Sequence, residues 1–449
     1  MSVLVAVMVW PILLYFVVVN AAYLALNLHA IPTLRRKITL RPLENLPPVH
    51  EGLVPPVSML VPARDCEATI VEQVRGLLAF DYPEFEVVVV NDGSRDGTLE
   101  ALRTAFGLEG FPEVYWRRIA AKPVRTIYHS RAHARLRVVD KERGGTADAL
   151  NTGVNASRFP LLFPVDTRWT LHRDGLRILV EPFLDDPATI ATGSTVRIAH
   201  DGASAGASGQ VELPESFLAR LQVVEHLREP LFGRLGWARM NAALVVSGTA
   251  ILFRKDVVVD AGGYRNDVIA EDMELVVRLH RLQRERGERY AIHVVPDPIC
   301  WTPAARSLGA LREQRMRWQV ALAESLERNA ELPRLAGSGA AGRLAYPFFL
   351  YFECYGPAIE IAAYTLMTAM FLLGLIPGMA FVAFLALVFS LGFMVSMSTL
   401  LLEEMSFRLY PRWGEAARLA IAAIVENLGY RQLVALWRLD ALSRWWQSR

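Results

Sequence analysis

Hydrophobic and polar positions divide the chain into stretches of different periodicity. Residues 2–28 contain no Asp, Glu, Lys or Arg, and about 20 apolar residues suffice to cross a bilayer as a helix. A cleaved signal peptide would need basic residues ahead of the apolar run. Here they follow it, at Arg35, Arg36, Lys37 and Arg41. Basic flanks stay on the cytoplasmic side, so the pattern predicts a transmembrane helix over 1–30 with its N-terminus outside. A second uncharged stretch runs from Ile361 to Leu402, too long for one span and suited to two, with Ile376-Pro377-Gly378 as the turn. Residues 331–402 therefore read as an interfacial segment followed by a transmembrane hairpin. Arg408, Arg412, Arg418, Arg431, Arg438, Arg444 and Arg449 lie downstream, again on the cytoplasmic side. Within 403–449, Leu419, Ile421, Ile424, Val425 and Leu428 gather on one side, with Trp437, Trp445 and Trp446 at headgroup depth, which predicts an amphipathic segment on the membrane surface. Glu353 and Glu360 share a helix face leading into the hairpin, placed either at the interface or facing a partner or cavity.

The middle of the chain follows another pattern. Pro47-Pro48 and Pro55-Pro56 stiffen a linker over 31–56. Short apolar runs then alternate with helical stretches: Val57–Val61, a helix near Ala68–Leu78, Phe85–Val90, and Leu161–Val165 ending on Asp166. Continuous apolar strands separated by helices predict a mostly parallel sheet covered on both faces, here a domain over 57–330. Ligands of such sheets bind beyond the carboxyl ends of the strands, which singles out Pro62 to Glu67, Asn91-Asp92-Gly93-Ser94 and Asp166-Thr167-Arg168. Residues 201–209 read as a flexible loop. The stripe Phe217, Leu218, Leu221, Val224, Leu227, Leu231 and Leu235 keeps helical spacing and is expected to pack against the sheet rather than on the membrane.

Composition narrows the classes of function. The 449 residues are 53% hydrophobic with a net charge of +2, so no bulk attraction to nucleic acid is implied. Cys66, Cys300 and Cys354 lack metal-ligand spacing and read as reduced thiols.

Three short motifs carry candidate chemistry. Asp92 at a strand end suits a base or ribose hydrogen bond, with Gly93 allowing close backbone approach, although Asn-Asp-Gly-Ser is also an ordinary turn. Glu271 and Asp272 open a helix, where acids are favoured by the helix dipole. A carboxylate there would also serve as a base for a hydroxyl about 3 Å away. Gln314, Arg315, Arg317 and Trp318 combine an amide, two guanidinium forks that match diphosphate oxygens and an indole face suited to a sugar. The same helix also reads as a basic face on anionic lipid.

In this order and spacing the chain resembles the processive family 2 glycosyltransferases of GT-A fold, the membrane-bound cellulose, hyaluronan, chitin and poly-N-acetylglucosamine synthases. The resemblance covers about 55–330. It implies an α/β GT-A domain flanked by transmembrane helices, and inverting transfer from a UDP-sugar, usually assisted by Mg²⁺ or Mn²⁺. It further implies that Pro62, Ala63, Arg64 and Glu67 lie on the nucleotide base and that Asp92 holds uridine. Residues Gly144 to Asn151 would lie near the diphosphate. Asp166 would be the first acid of the DxD motif, a nucleotide and metal contact, and Asp272 the base. Glu271, Gln314, Arg315, Arg317 and Trp318 would contact diphosphate and acceptor, with Gly248 (in Ser247-Gly248-Thr249) at the acceptor end.

Two positions depart from the pattern. Thr146 stands where the family usually has Lys, and Arg168 replaces the second DxD acid. At about 4 Å and an effective dielectric near 20, unit charges interact by roughly 4 kcal/mol, so an arginine aimed at the metal position would repel an ion and could neutralise the diphosphate itself. Alternatively Arg168 turns away and Asp166 holds the ion with phosphate oxygens. These departures also motivate a competing reading, a non-catalytic membrane scaffold or regulatory subunit. The expected partners are a UDP-sugar, a glycan or lipid-linked acceptor and the bilayer of the inner membrane. A partner subunit or homo-oligomer is added because three spans provide little wall for a polysaccharide channel.

Overall fold

The computed structural model describes residues 3–40, 54–111, 115–166, 169–199, 213–228, 233–246, 250–407, 409–410 and 412–449. Thr167, Arg168, the expected loop at 201–209, the Ser247-Gly248-Thr249 triplet and most of the linker lie outside them.

Ten strands form one sheet: β1 (Val57–Ala63), β2 (Phe85–Asp92), β3 (Leu108–Phe111), β4 (Val124–Ser130), β5 (Leu136–Lys141), β6 (Leu161–Pro164), β7 (Thr170–Leu171), β8 (Thr189–Ala199), β9 (Ile251–Arg254) and β10 (Ala291–Pro303). Their spatial order is β3-β4-β5-β2-β1-β6-β9-β8-β10-β7. The centre, β5-β2-β1-β6, is parallel, and its strands are the near-continuous apolar runs. Every residue of β2 and all but Pro62 of β1 are buried, as a strand covered on both faces requires. Because β1, β2, β5 and β6 run the same way, Ala63, Asp92, Lys141 and Pro164 end at one edge, where the loops that follow them meet. Antiparallel β9 then joins β6 to β8.

The N-terminal helix spans Val3–Leu40, longer than expected. Pro32 does not end it, since one missing amide leaves the flanking turns intact, so residues 31–40 are helix rather than linker. Among the described residues, three helical stretches are long and apolar enough to cross a membrane: Val7–Arg35, Gly378–Ser406 and Trp413–Gln447. The helix preceding the Pro377 turn, Gly356–Leu372, is shorter. The third long stretch is not straight. Leu428 and Gly429 leave helical geometry, Gly429 at φ 129°, and divide it into Trp413–Val425 and Arg431–Gln447. Each half is too short to span about 30 Å of hydrocarbon at 1.5 Å per residue.

These C-terminal helices pack on the half of the molecule that holds the sheet. The stripe beginning at Phe217 folds as Phe217–His226, and its Leu221 and Val224 meet Leu419, Ala422 and Ala423, with Ile198 of β8 in the same cluster. The C-terminal segment, rather than the sheet alone, is therefore its partner. Buried charge pairs fasten the junction: Arg197 Nη2 donates to Glu403 Oε2 at 2.7 Å, with both side chains at most 5% exposed, and Arg228 pairs with Glu426.

Removing one member of a buried pair strands the other charge at a cost of about 3–5 kcal/mol. Glu403→Ala is therefore expected to lower the Tm of the purified protein by more than about 5 °C, and Arg197→Met combined with Glu403→Met to recover most of the loss. Equal melting of Glu403→Ala and the parent protein would show that the pair does not join hairpin to sheet.

Candidate active site

The loops after β1 and β2 are laced together. Ser94 Oγ accepts from the Asp65 amide at 3.1 Å, while Asp65 Oδ1 accepts from Arg95 N at 2.8 Å. Glu67 Oε2 accepts from Gly97 N at 2.9 Å, and Asp96 Oδ2 from Glu67 N at 3.1 Å. Thr98 Oγ1 accepts from Cys66 N at 2.9 Å. Pro62, Ala63, Arg64 and Glu67 thus stand on one cross-braced rim, with Arg64 and Glu67 exposed and Ala63 buried.

Asp92 lies behind this rim, 3% exposed. Its Oδ1 accepts from Lys141 Nζ at 2.7 Å and Gly144 N at 2.8 Å, and its Oδ2 from Gly145 N at 2.8 Å. Lys141 also pairs with Asp148 at 2.6 Å. Gly145, at φ 96°, precedes the helix Thr146–Ala156, and a Cβ on Gly144 would strike the Asp148 carboxyl at 2.4 Å. Asp92 therefore fixes the turn that opens this helix. Lys141 was not among the sequence candidates. Its signal was positional, since it aligns with Asp92 at the carboxyl end of the neighbouring parallel strand.

The acids gather beside this edge. Asp166 follows β6 by two residues, and Glu271 and Asp272 open the helix Glu271–Arg286. Burial first, then the charges of Asp272 and Asp166, push the Glu271 carboxyl up to about 7. Burial also raises Asp272, against its own helix amides and Arg234, with Asp166 adding to the rise. The three carboxylates share one neighbourhood, and Arg234, which sequence reasoning missed, is a cation acting on it. Tyr264 borders the same acids, held by reciprocal bonds between its backbone and the Asn151 amide at 2.7 and 2.8 Å.

The helix Leu308–Arg328 supplies the other side. Trp318 is 45% exposed, with the Arg315 guanidinium 4.4 Å from its ring centre and His226 edge-on at 6.0 Å. Burial and Arg315 push His226 down to about 4, so its ring is neutral at physiological pH. Arg234 influences His226 as well as Asp272, which connects the acid cluster with the indole. Arg317 is exposed. Arg315 is not: it turns inward as a fork on Glu225, at 2.8 and 2.6 Å, and donates to Gln314 Oε1 at 2.7 Å. The expectation of two guanidiniums facing a diphosphate is thereby reduced to Arg317. The reason is Glu225, a buried acid far away in sequence that requires a counter-charge.

Among the described residues, no group of three or more His, Cys, Asp and Glu side chains could hold a metal ion. Mg²⁺ or Mn²⁺ needs only one or two protein carboxylates when phosphate oxygens complete the shell. Asp166, with Glu271 and Asp272 crowding negative charge nearby, fits that arrangement. Cys66, Cys300 and Cys354 are free thiols.

A mostly parallel sheet with acids gathered beside one edge fits the GT-A fold. The chain belongs to glycosyltransferase family 2: residues 58–119 match the model for "Glycosyl transferase family 2" and residues 123–321 that for "Glycosyltransferase like family 2". It is 26% identical over 279 residues to the poly-beta-1,6-N-acetyl-D-glucosamine synthase of Staphylococcus aureus, covering 62% of this chain and 57% of that protein. The synthase of the same name from Staphylococcus epidermidis is 24% identical over 265 residues, 58% of this chain and 53% of that one. The chain thus spans little more than half the length of these relatives. Among solved structures, a mannosyltransferase from Pyrobaculum calidifontis in complex with GDP-Man and Mn²⁺ aligns over 92% of this chain and 99% of its own, with a TM-score of 0.52 and 19% identity, a likeness of fold.

Glu271 gives a pH-dependent test. Its folded value lies above the ordinary 4.5, so the folded state favours the protonated form. That contribution to stability is complete below about pH 4.5 and is lost as pH rises through about 7. Glu271→Gln, which stays neutral, should raise the Tm by a few degrees at pH 8 and change it little at pH 4.5. A lower Tm at pH 8 would contradict the crowding of acids.

Proposed function

We propose that the protein transfers a sugar, with inversion, from a UDP-sugar to a glycan or lipid-linked acceptor at the cytoplasmic face of the inner membrane, in polysaccharide synthesis. The observation that carries this reading is the raised protonation range of Glu271 and Asp272 beside Asp166, since a general base works best when its pKa is moved toward the working pH. Names of the relatives support UDP-N-acetylglucosamine as the first donor to test, and the basic flanks of the apolar helices support the orientation.

In this scheme Asp272 takes the proton of the acceptor hydroxyl as that oxygen bonds to the anomeric carbon. The bond from that carbon to the diphosphate breaks in the same step, and its electron pair leaves with UDP. Asp166 would hold the divalent ion, which when bound supplies positive charge to the diphosphate. Arg317 contributes a second positive charge, and electrostatic stabilisation of a leaving group is commonly the largest single contribution. Trp318 offers its open face to the acceptor sugar. The rim from Pro62 to Glu67 takes the base, and Asp92 shapes the glycine turn beside the diphosphate. Gly248 stays at the acceptor end in this scheme, and a partner subunit or second copy would complete a channel if the product is long.

Full-length protein in lipid nanodiscs, offered UDP-N-acetylglucosamine, UDP-glucose and UDP-glucuronic acid in turn, should release UDP with one of them and lose that release in EDTA. Asp272→Asn should bind UDP within about twofold of the parent yet transfer at least 10²-fold more slowly. Near-normal turnover by that variant would refute the assignment of the base, and turnover unaffected by EDTA would refute the ion.

A further inference from the structure

We propose that Tyr430, Glu225 and Arg315 form a positioning relay that sets the plane of Trp318, so that the segment after the transmembrane hairpin controls how the acceptor is held. The proposal rests on the reading of Trp318 as the acceptor platform. Both family models end at or before residue 321, and neither includes Tyr430.

The chain is shaped to bring Tyr430 inward. Leu428 and Gly429 break the helix immediately before it, and the side-chain Oε1 of Gln432 accepts from Gly429 N at 2.9 Å to hold the bend. From there the Tyr430 hydroxyl donates to Glu225 Oε2 at 2.8 Å. The same carboxylate takes both fork positions of Arg315, through Nε on one oxygen and Nη2 on the other. Although burial opposes ionisation of Glu225, the Arg315 guanidinium and the Tyr430 hydroxyl hold its carboxyl below the usual carboxylate range, so it is charged at physiological pH. Nη1 of Arg315 is bound to Gln314. All three nitrogens of the guanidinium are thus engaged, and its Cζ stands over the Trp318 ring, 4.4 Å from the centre.

A buried ion pair contributes little stability relative to apolar residues of the same volume, so its value here is geometric. Side-chain exposure is 3% for Arg315 and 9% for Glu225, whereas Trp318 is half open. The relay ends on the exposed, acceptor-facing member. A second tie steadies the same helix one residue on: Arg438 Nε donates to Gln319 Oε1 at 2.6 Å, and Gln319 Nε2 donates to the Cys354 carbonyl at 2.7 Å. Movement of the C-terminal helices at the membrane surface would thus be transmitted to the indole.

The test uses Tyr430→Phe, which removes one hydroxyl and keeps the ring, in full-length protein in nanodiscs. With 5-fluorotryptophan incorporated, the Trp318 resonance, assigned by its loss in Trp318→Phe, should shift or broaden in Tyr430→Phe; an unchanged resonance overturns the relay whatever the substrate. In kinetics with UDP-N-acetylglucosamine and a β-1,6-linked N-acetylglucosamine pentasaccharide, Tyr430→Phe should raise the acceptor KM on the order of tenfold. UDP affinity and UDP release to water should stay within twofold, and the effect should vanish in a Trp318→Ala background. A uniform fall of all these quantities, or full additivity with Trp318→Ala, would mark a merely structural role and sink the relay. Normal acceptor kinetics in Trp318→Ala would instead overturn the platform reading beneath it.

Discussion

Carboxylates brought together out of full solvent repel one another, and Asp166, Glu271 and Asp272 are held together despite this. The fold supplies the force. Burying β1, β2, β5 and β6 on both faces aligns their ends, and β6 then delivers Asp166 to the same edge as the helix that begins at Glu271. Crowding acids costs stability, and it leaves Glu271 protonated to about pH 7. Such a site is suited to accepting a proton or attracting a cation, and poorly suited to anything else. Stability given up at a cleft of this kind is the usual trade between folding and activity.

The membrane elements are joined to this cleft by charge as well as by apolar packing. Arg197–Glu403 and Arg228–Glu426 each cross between the sheet-bearing domain and a later element. Tyr23 of the first helix and Arg438 of the last both bond to Glu353. Paired charges of this kind are expensive to separate, so the catalytic domain, the hairpin and the C-terminal helices should move as one body at the membrane surface. The bend at Leu428 and Gly429 redirects the chain just before the helix that carries Arg438.

Much of this was legible in the sequence. Continuous apolar runs separated by helical stretches located β1, β2 and β6, and the rule that ligands bind past strand ends singled out Asp92 and Asp166. The acids at Glu271 and Asp272 declared a helix start. What stayed hidden depended on partners distant in the chain. Nothing near Arg315 announces that Glu225 will claim it, nor does local pattern reveal that the charge of Arg234 acts on both Asp272 and His226. The first helix outran its expected end because Arg35 to Leu40 is polar enough to signal an interface yet still helix-forming. The Phe217 stripe was correctly apolar, but its partner, the Trp413–Val425 helix, follows it by some two hundred residues.

The central claim is a single displacement in which the incoming oxygen and the departing diphosphate occupy opposite faces of one sugar. Proton NMR of the first glycosidic bond formed from an α-linked UDP-sugar tests it most directly. A β-linked product is expected, read from the anomeric coupling constant. An α-linked product would mean retention, and a cleft built around one base could not produce it.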